Sequence, residues 1–430
     1  MRFGVIYLLQ TPRPWTEDSE ERVINEALEQ IELADKLGFD YAWAAEHHFL
    51  DEYSHSSAPE VFLAAAAART KNIRLAHGIV SLPPAVNHPA RVAERIATLD
   101  LISGGRVDLG TGQGSTQHEL GAFGVDRATK SEQWKESLEA ILRMLSEVPF
   151  TGYKGDWLDV PPRNVLPKPK QKPHPPAWLA CSMPTTIEKA ARLGLGALSF
   201  AFTTPEEGAE RVAAYYRTLE SGEVTPIGKA VNANFAVAMP FFCHEDEQTA
   251  YDRALGGIDF YVNSFMHFYV SGTHKPGITD LQANFAAKEA LPEENLARMD
   301  GAVRQAVGTP QKLRELIRVQ EEAGVDQIIF QVQLGANKHE HIVESLELFA
   351  REVMPEFVER REAREAAKAE RLAVPIQTAL SRIVPNTEDV SGYEIHTDFE
   401  QWPEQFMPPA PDADGDADTQ AGAGDANAAG

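Results

Sequence analysis

A chain of 430 residues that is 43% hydrophobic and 24% charged is long and apolar enough to bury a sizeable core. Its 64 acidic side chains outnumber 40 basic ones, for a formal net charge of −24, so the summed field repels nucleic acid and anionic lipid and argues against polyanion binding. Two cysteines, Cys181 and Cys243, are too few and too far apart for a disulfide framework or a cysteine zinc site, and fit a reducing cytoplasm.

The opening Met1-Arg-Phe-Gly-Val-Ile-Tyr-Leu-Leu has no small-residue cleavage site and falls well short of a membrane span, so it reads as a buried first strand. From there, short apolar runs rich in β-branched and aromatic residues alternate with longer stretches of helical period, the signature of βα units. The predicted strands are Phe3–Leu9, Tyr41–Ala45, Ile73–Val80, Val107–Gly112, Ala177–Cys181, Ala197–Phe202, Asn232–Met239 and Gln327–Gln331. The first helix keeps Ile24, Leu28, Ile31, Ala34 and Leu37 on one apolar face and is stopped by Gly38. Further helices are predicted at Glu60–Arg69, His88–Ile102, Glu132–Ser146, Thr185–Leu193, Pro205–Leu219, Pro310–Ala323 and His339–Val353. Eight strands alternating with helices predict an α/β fold, a closed parallel (β/α)8 TIM barrel rather than an open doubly wound sheet.

Two insertions interrupt the repeat. Residues 150–176 carry seven prolines and predict a surface hairpin or excursion before the fifth strand. Residues 271–300 follow an aromatic-rich helix after the seventh strand, where a barrel enzyme places a lid over its mouth. The barrel is expected over 1–357, a charged helical extension over 358–384 and a disordered tail over 385–430. From Pro385 onward there are eleven acidic residues and no Lys or Arg, so a solubilising role is expected there.

The chemistry of such a barrel sits at the carboxyl ends of its strands. The second strand runs into Glu46-His47-His48-Phe49. Adjacent histidines on an extended segment point apart, which disfavours chelation of one metal ion by both, and no third ligand has obvious spacing. A hydrogen-bonded structural pair and a general acid or base near neutrality remain open. The fourth strand ends in glycines around Gly112-Gln113-Gly114, which let a backbone approach a flat ligand or a phosphate but also serve as ordinary turns. Their spacing is not a dinucleotide fingerprint. The fifth strand ends in Cys181-Ser182-Met183-Pro184-Thr185-Thr186 and leads into a helix, where the hydroxyls either cap the helix or hold a phosphate on its free amides.

Together these segments resemble the bacterial luciferase-like family of flavin-dependent monooxygenases. The similarity rests on the opening Met-Arg-Phe-Gly, Glu46-His47-His48-Phe49, Ile79-Val80 with Leu82-Pro83 and His88-Pro89, and Ser103-Gly104-Gly105-Arg106-Val107. It continues through Ser182 with Thr185-Thr186, Val307-Gly308-Thr309-Pro310 and Val353-Met354-Pro355, in collinear order over residues 1–357. The resemblance implies an enzyme that takes reduced FMN from a separate NAD(P)H-dependent flavin reductase and uses O2 to oxygenate an apolar substrate such as an aldehyde, ketone or terpenoid. It implies proton transfer by His47, with His48 a structural neighbour. It implies phosphate binding by Ser182 and Thr185, and places Cys181 and Gly112 in the cofactor site. The His77–Gly78 bond falls where the family can carry a non-prolyl cis peptide beneath the flavin ring. Gln113 stands where luciferases have an arginine for the phosphate, and Gly112 where they have a reactive cysteine, which puts phosphate affinity and light emission in doubt.

Candidate pocket-lining aromatics are Phe49, Phe200, Phe202, Phe260, Phe265 and Phe268. A homodimer through the first few helices is expected by resemblance. The alternatives are a deazaflavin-dependent hydride-transfer oxidoreductase, against which Glu-His-His-Phe argues, and a non-catalytic flavin-binding subunit, against which retention of His47 and both hydroxyls argues.

Overall fold

The computed structural model describes residues 1–200, 203–270, 272–283, 301 and 303–396. Strand β1 (Arg2–Tyr7) is buried on both faces from Phe3 onward, as expected of a strand sandwiched between a barrel interior and a helical layer. It is followed by β2 (Tyr41–Ala44), β3 (Arg74–His77), β4 (Val107–Gly112), β5 (Ala177–Cys181), β6 (Gly196–Phe200), β7 (Phe235–Cys243) and β8 (Gln327–Gln331). Each pairs in parallel with the next. The ring closes because β8 also pairs with β1, Arg2 lying opposite Gln327 and Ile6 opposite Gln331. The predicted (β/α)8 barrel is therefore the observed fold.

The helical layer comprises α1 (Ser19–Leu37), α2 (Pro59–Arg69), α3 (Pro89–Ile102), α4 (Gln117–Ala122), α5 (Lys130–Ser146), α6 (Pro184–Arg192), α7 (Pro205–Glu220), α8 (Glu247–Phe265), α9 (Pro310–Glu322) and α10 (His339–Glu352). In α1 the face is turned slightly from the predicted one: Ala27, Leu28, Ile31 and Ala34 are buried, while Ile24 is 37% exposed and Val23 takes its place. Gly38 ends the helix at φ 87°, a conformation that a side chain would strain.

Successive side chains point alternately into the barrel and onto the helices. One set, including Val5, Leu75, Leu109, Leu179 and Phe330, packs against the helices. The other, including Ile6, Trp43, Ala76, Trp178, Leu198, Ala238 and Ile329, fills the interior. The Trp43 and Trp178 rings meet edge-on at 5.5 Å. Below them, Asp108 accepts hydrogen bonds from Trp178 Nε1 at 2.8 Å and from Arg74 Nε at 2.6 Å.

Several strand boundaries shift by a residue or two from the sequence reading, and two strands differ more. β3 stops at His77 and a short segment, Val80–Ser81, resumes pairing with Thr111–Gly112. The His77 carbonyl presses so closely on Gly110 that a Cβ there would lie 1.8 Å from its oxygen. β7 starts at Phe235 and runs on to Cys243, because Ala306–Gly308 adds a parallel partner for Phe241–Cys243. The predicted hairpin forms between Tyr153–Lys154 and Asp159–Val160.

At the amino-terminal end of the strands the chain closes with α11 (Met354–Glu359) and α12 (Arg361–Leu380). Arg361 grips Asp40 through two nitrogens at 2.7 and 2.8 Å. Arg2 reaches Glu365 at 2.7 Å, and Lys368 reaches Asp326 at 2.6 Å. The charged extension is thus a clamp across the amino-terminal end of the barrel. Residues 1–388 form one unit; of the acidic remainder, 397–430 lie outside the described residues. Among the described residues no helix is long and apolar enough to cross a membrane.

Candidate active site

The loop after β2 carries the two histidines to the carboxyl end of the barrel, and their rings go to different carboxylates. His47 Nδ1 lies 3.0 Å from Glu119 Oε1, whereas His48 Nε2 lies 3.0 Å from Glu46 Oε1. Glu46 is also held by Ser81 N at 3.1 Å and Asn87 Nδ2 at 2.6 Å, so it ties the histidine loop to the segment after β3. Burial opposes charge on His48, but the Glu46 carboxylate outweighs it and raises the His48 pKa. Among the described residues no group of three or more His, Cys, Asp or Glu side chains is arranged to hold a metal ion.

Glu119 is the residue that sequence reasoning missed. It sits on the short helix α4, where Thr116 caps the first turn by accepting from Glu119 N at 3.2 Å. The Glu119 carboxylate accepts from Thr116 Oγ1 at 2.7 Å and from the His48 amide at 3.1 Å. Burial alone would raise its pKa, but His47 and these donors pull it below the usual carboxylate range. An ionised Glu119 can only accept, so the His47 Nδ1 that faces it carries the proton of that hydrogen bond and Nε2 is turned away from the carboxylate. The signal was in the sequence as Thr116-x-x-Glu119, a capping pattern whose acid here serves an imidazole instead.

A shallow floor lies at this end of the barrel. Gly78, Gly110, Gly112, Ala180 and Ser182 share the inward parity of Ala76, Asp108 and Trp178, and they bring almost no side-chain volume. Gly78 and Ala180 are half-buried although they face inward, so the space above them is open. At Gly112 a Cβ would lie 2.5 Å from Ile79 Cδ1, and at Gly114, with φ 74°, 2.6 Å from Leu120 Cδ2. Glycine is required at both positions because the side chains of Ile79 and Leu120 fill the space where a Cβ would stand.

Ser182 and Thr185 are exposed at the start of α6. Thr186, not either of them, caps the helix: its Oγ1 donates to Met183 O at 2.7 Å and accepts from Met183 N at 3.2 Å. Among the described residues the Ser182 and Thr185 hydroxyls are therefore uncommitted beside the free amides of a helix start. Gln113 is half-buried beside the floor. The adjoining Gly114 carbonyl accepts from Lys130 Nζ at 2.7 Å, and burial together with Arg127 lowers the Lys130 pKa. A cation missed in the sequence thus stands next to the neutral Gln113.

Two expected members do not join this surface through their side chains. Cys181 points outward under α6, fully buried, its Sγ donating to Leu179 O at 3.2 Å, and burial pushes its thiol up to about 12. The His77 ring also faces the helices, and burial brings it down to about 4, so only its backbone borders the floor. The expected cis bond at His77–Gly78 is absent as well. The cis peptides among the described residues are Arg13–Pro14, Val148–Pro149, Leu166–Pro167 and Lys172–Pro173, all before proline, where that isomer costs least. A trans bond here lets Gly78 N donate to Ala44 O at 2.7 Å.

Aromatic rings wall the other side. Tyr53 meets the His47 ring at 5.5 Å and stacks on Tyr261 at 6.2 Å. Phe268, 6% exposed, contacts Tyr53 and His118, and Phe265 stacks on Tyr269 at 4.6 Å. Phe260 is buried in the interior cluster, Phe200 is half-buried, and Phe202 lies outside the described residues. Phe49 is 57% exposed. Of the expected lid, residues 272–283 dock on the histidine loop: Gly277 N donates to Asp51 Oδ2 and Leu281 N to Glu52 Oε1, each at 2.9 Å. The rest of that segment, 284–300, is outside the described residues.

Comparison with known proteins gives the same frame. The family described as luciferase-like monooxygenase matches residues 1–327. A limonene 1,2-monooxygenase from Rhodococcus erythropolis is 28% identical over 354 residues, 80% of this chain and 84% of the relative. A 4-hydroxyprotoasukamycin monooxygenase from Streptomyces nodosus subsp. asukaensis is 28% identical over 335 residues, 77% of this chain and 86% of the relative. The crystal structure of monooxygenase RslO1 from Streptomyces bottropensis aligns with a TM-score of 0.66 at 28% identity, covering 83% of this chain and 100% of that one. With the match spanning the whole barrel up to its last strand, the chain belongs to the luciferase-like monooxygenase family.

Proposed function

We propose that this chain is the oxygenase component of a two-component system that receives reduced FMN from a separate NAD(P)H-dependent flavin reductase and transfers one oxygen atom from O2 to a small apolar organic substrate. The observation that carries this reading is the His47–Glu119 pair at the carboxyl end of the barrel, where half-buried Gly78 and Ala180 face inward and the exposed Ser182 and Thr185 hydroxyls have no protein partner among the described residues. A relative described as the oxygenase component of a flavin-dependent trigonelline monooxygenase, from Acinetobacter baylyi, supports the reductase partner; it is 24% identical over 379 residues.

The residues fit a flat, phosphorylated flavin. Gly78 and Ala180, small and half-buried, leave room for the ring, while Ser182, Thr185 and the amides of α6 supply phosphate donors, with Gln113 and Lys130 beside them. When bound, reduced FMN supplies the reactivity toward O2. The protein's part is proton management and exclusion of water. His47 Nε2 accepts a proton, and Glu119 stabilises the imidazolium that results. Tyr53 packs against that imidazole, whose side chain is only 16% exposed, and limits its access to bulk solvent. Assembly as a homodimer belongs to the same proposal.

The test is to combine the protein with FMN, NADH and a generic flavin reductase under 18O2 and to screen aldehydes, ketones and terpenoids by mass spectrometry. One labelled oxygen atom in a product is expected. Absence of both labelled product and FMN binding overturns the proposal, and turnover with a reduced deazaflavin without O2 uptake replaces it with hydride transfer.

A further inference from the structure

The segment that docks on the histidine loop touches the barrel at few points. From Gly272 to Asp280 every residue but His274 and Thr279 is exposed. Two side chains anchor it: Leu281, 1% exposed, and His274, whose ring is 2% exposed. The His274 ring goes down between two other imidazoles. Its Nδ1 lies 3.2 Å from His267 Nε2, and His118 meets it edge-on at 5.4 Å. On the other side its Nε2 lies 3.3 Å from Asp51 Oδ2, the oxygen that also accepts from Gly277 N. His267 belongs to the π-helical turn Met266–Val270 that follows α8, and His118 to α4, next to Glu119. The Gly272 backbone lies so close on the His267 ring that a Cβ would stand 2.5 Å from its Nδ1.

A leucine would fill the His274 seat at any pH, whereas imidazoles make the seat depend on their charge. Two ring nitrogens 3.2 Å apart can share one proton but cannot hold one each, because two N–H groups would then face each other. A first proton on the pair is balanced by Asp51; a second sets two cations side by side. Burial lowers the His274 pKa, Asp51 opposes that, and His118 and Arg13 reinforce it. Burial, His274 and His118 bring His267 down to about 4. Rings that resist protonation when docked take up protons more readily once the segment lifts into water. Docking is therefore complete above the ordinary imidazole value of about 6.5 and weakens as pH falls through the lowered values. Carboxyls also face this contact: Glu52, raised by burial and close to Asp280, accepts from Leu281 N, and Arg13 donates to Gly277 O at 2.9 Å. We propose that the His274–His267 pair is an acid-released latch, which holds residues 272–283 on the His47 loop while it carries at most one proton and lets them go when it carries two. The latch goes beyond the oxygenase reading and does not require it.

The experiment follows hydrogen exchange of the full chain by mass spectrometry from pH 7.5 to pH 4, corrected for the intrinsic pH dependence of exchange. The peptide containing Gly277 and Leu281 reports the latch, and the peptide containing β8 reports global unfolding. In wild type the protection of the first is expected to stay level above pH 6.5 and to fall roughly tenfold or more by pH 4, while β8 stays protected. His267→Gln and His274→Gln keep a polar side chain in the seat but cannot take up the second proton, so the fall is expected to shrink below about threefold. A level wild-type profile, or loss of protection in step with β8, overturns the latch. An unaltered acid response in either folded variant overturns it too and assigns the release to Asp51 and Glu52. Where one variant fails to fold, by its melting temperature, the other carries the test; failure of both makes the pair structural and overturns the latch. The readout needs neither flavin nor substrate, so this result and that of the oxygenation screen stand or fall separately.

Discussion

The two ends of the barrel are built on opposite principles. At the amino-terminal end, Arg361, Arg2, Lys368 and Arg364 each meet a carboxylate within 2.8 Å, and Asp326 takes up Lys368 Nζ and the Phe235 amide together. At the mouth, the Ser182 and Thr185 hydroxyls are exposed and have no protein partner among the described residues. Ionic contacts hold a shape, whereas hydroxyls exposed beside the free amides of a helix start are open to a ligand. The difference says where this chain braces itself and where it stays open.

The strongest way to break the comparison is at His47. His47→Gln should lower the oxygenation rate about 10²- to 10⁴-fold while leaving FMN affinity, read by fluorescence, nearly intact. A wild-type rate in the variant would remove the imidazole from the chemistry. At the amino-terminal end, Asp326→Ala strands Lys368 and should cost about 3 kcal/mol in chemical denaturation, with the surviving folded fraction keeping its KM. Loss of KM instead would mean that the two ends are not independent.

Smaller effects sharpen the picture. Glu119→Gln can no longer accept from both Thr116 and His47 as an anion, and should lower kcat roughly tenfold with little change in KM. It carries a pH signature too. The Glu119 pKa is depressed in the folded protein, so its contribution to stability is complete above the unfolded value of about 4.3 and is lost as pH falls through the lower folded value. Melting curves between pH 3 and pH 7 should therefore show a shallower acid limb in the variant. His48 has the opposite sign: its raised pKa adds stability below about pH 6.5 that fades as pH climbs through the raised value. The smallest effects belong to Ser182→Ala and Thr185→Ala, each expected to weaken FMN binding by about three- to tenfold in fluorescence titration.

Much of this was legible before any coordinates. The alternation of apolar runs and amphipathic segments predicts the eight strands, because strands covered on both faces leave long β-branched runs such as Phe3–Tyr7. His47 and Ser182 could be placed at the mouth because each directly follows a strand. Glu119 could not, since its helix α4 is an insertion of six residues with no apolar period of its own. The outward turn of Cys181 was obscured by proximity: one residue along a strand reverses the face, and Ser182 was the partner that belonged inside. The left-handed backbone of Phe49 leaves no trace in residue types at all, because an aromatic there contradicts the local preference.

The clamp of α12 reaches across almost the full length of the chain, joining Arg2 to Glu365 and Asp40 to Arg361. On the ribosome, β1 must wait unpaired on one edge until more than 300 further residues have emerged and β8 can dock against it. Until then the nascent chain carries an unfilled strand edge, and only the last helix bolts the seam shut. A premature stop between Gln331 and Arg361 would therefore leave the strand pairing of the seam without the ion pairs that brace it, a species more exposed to chaperones and proteases.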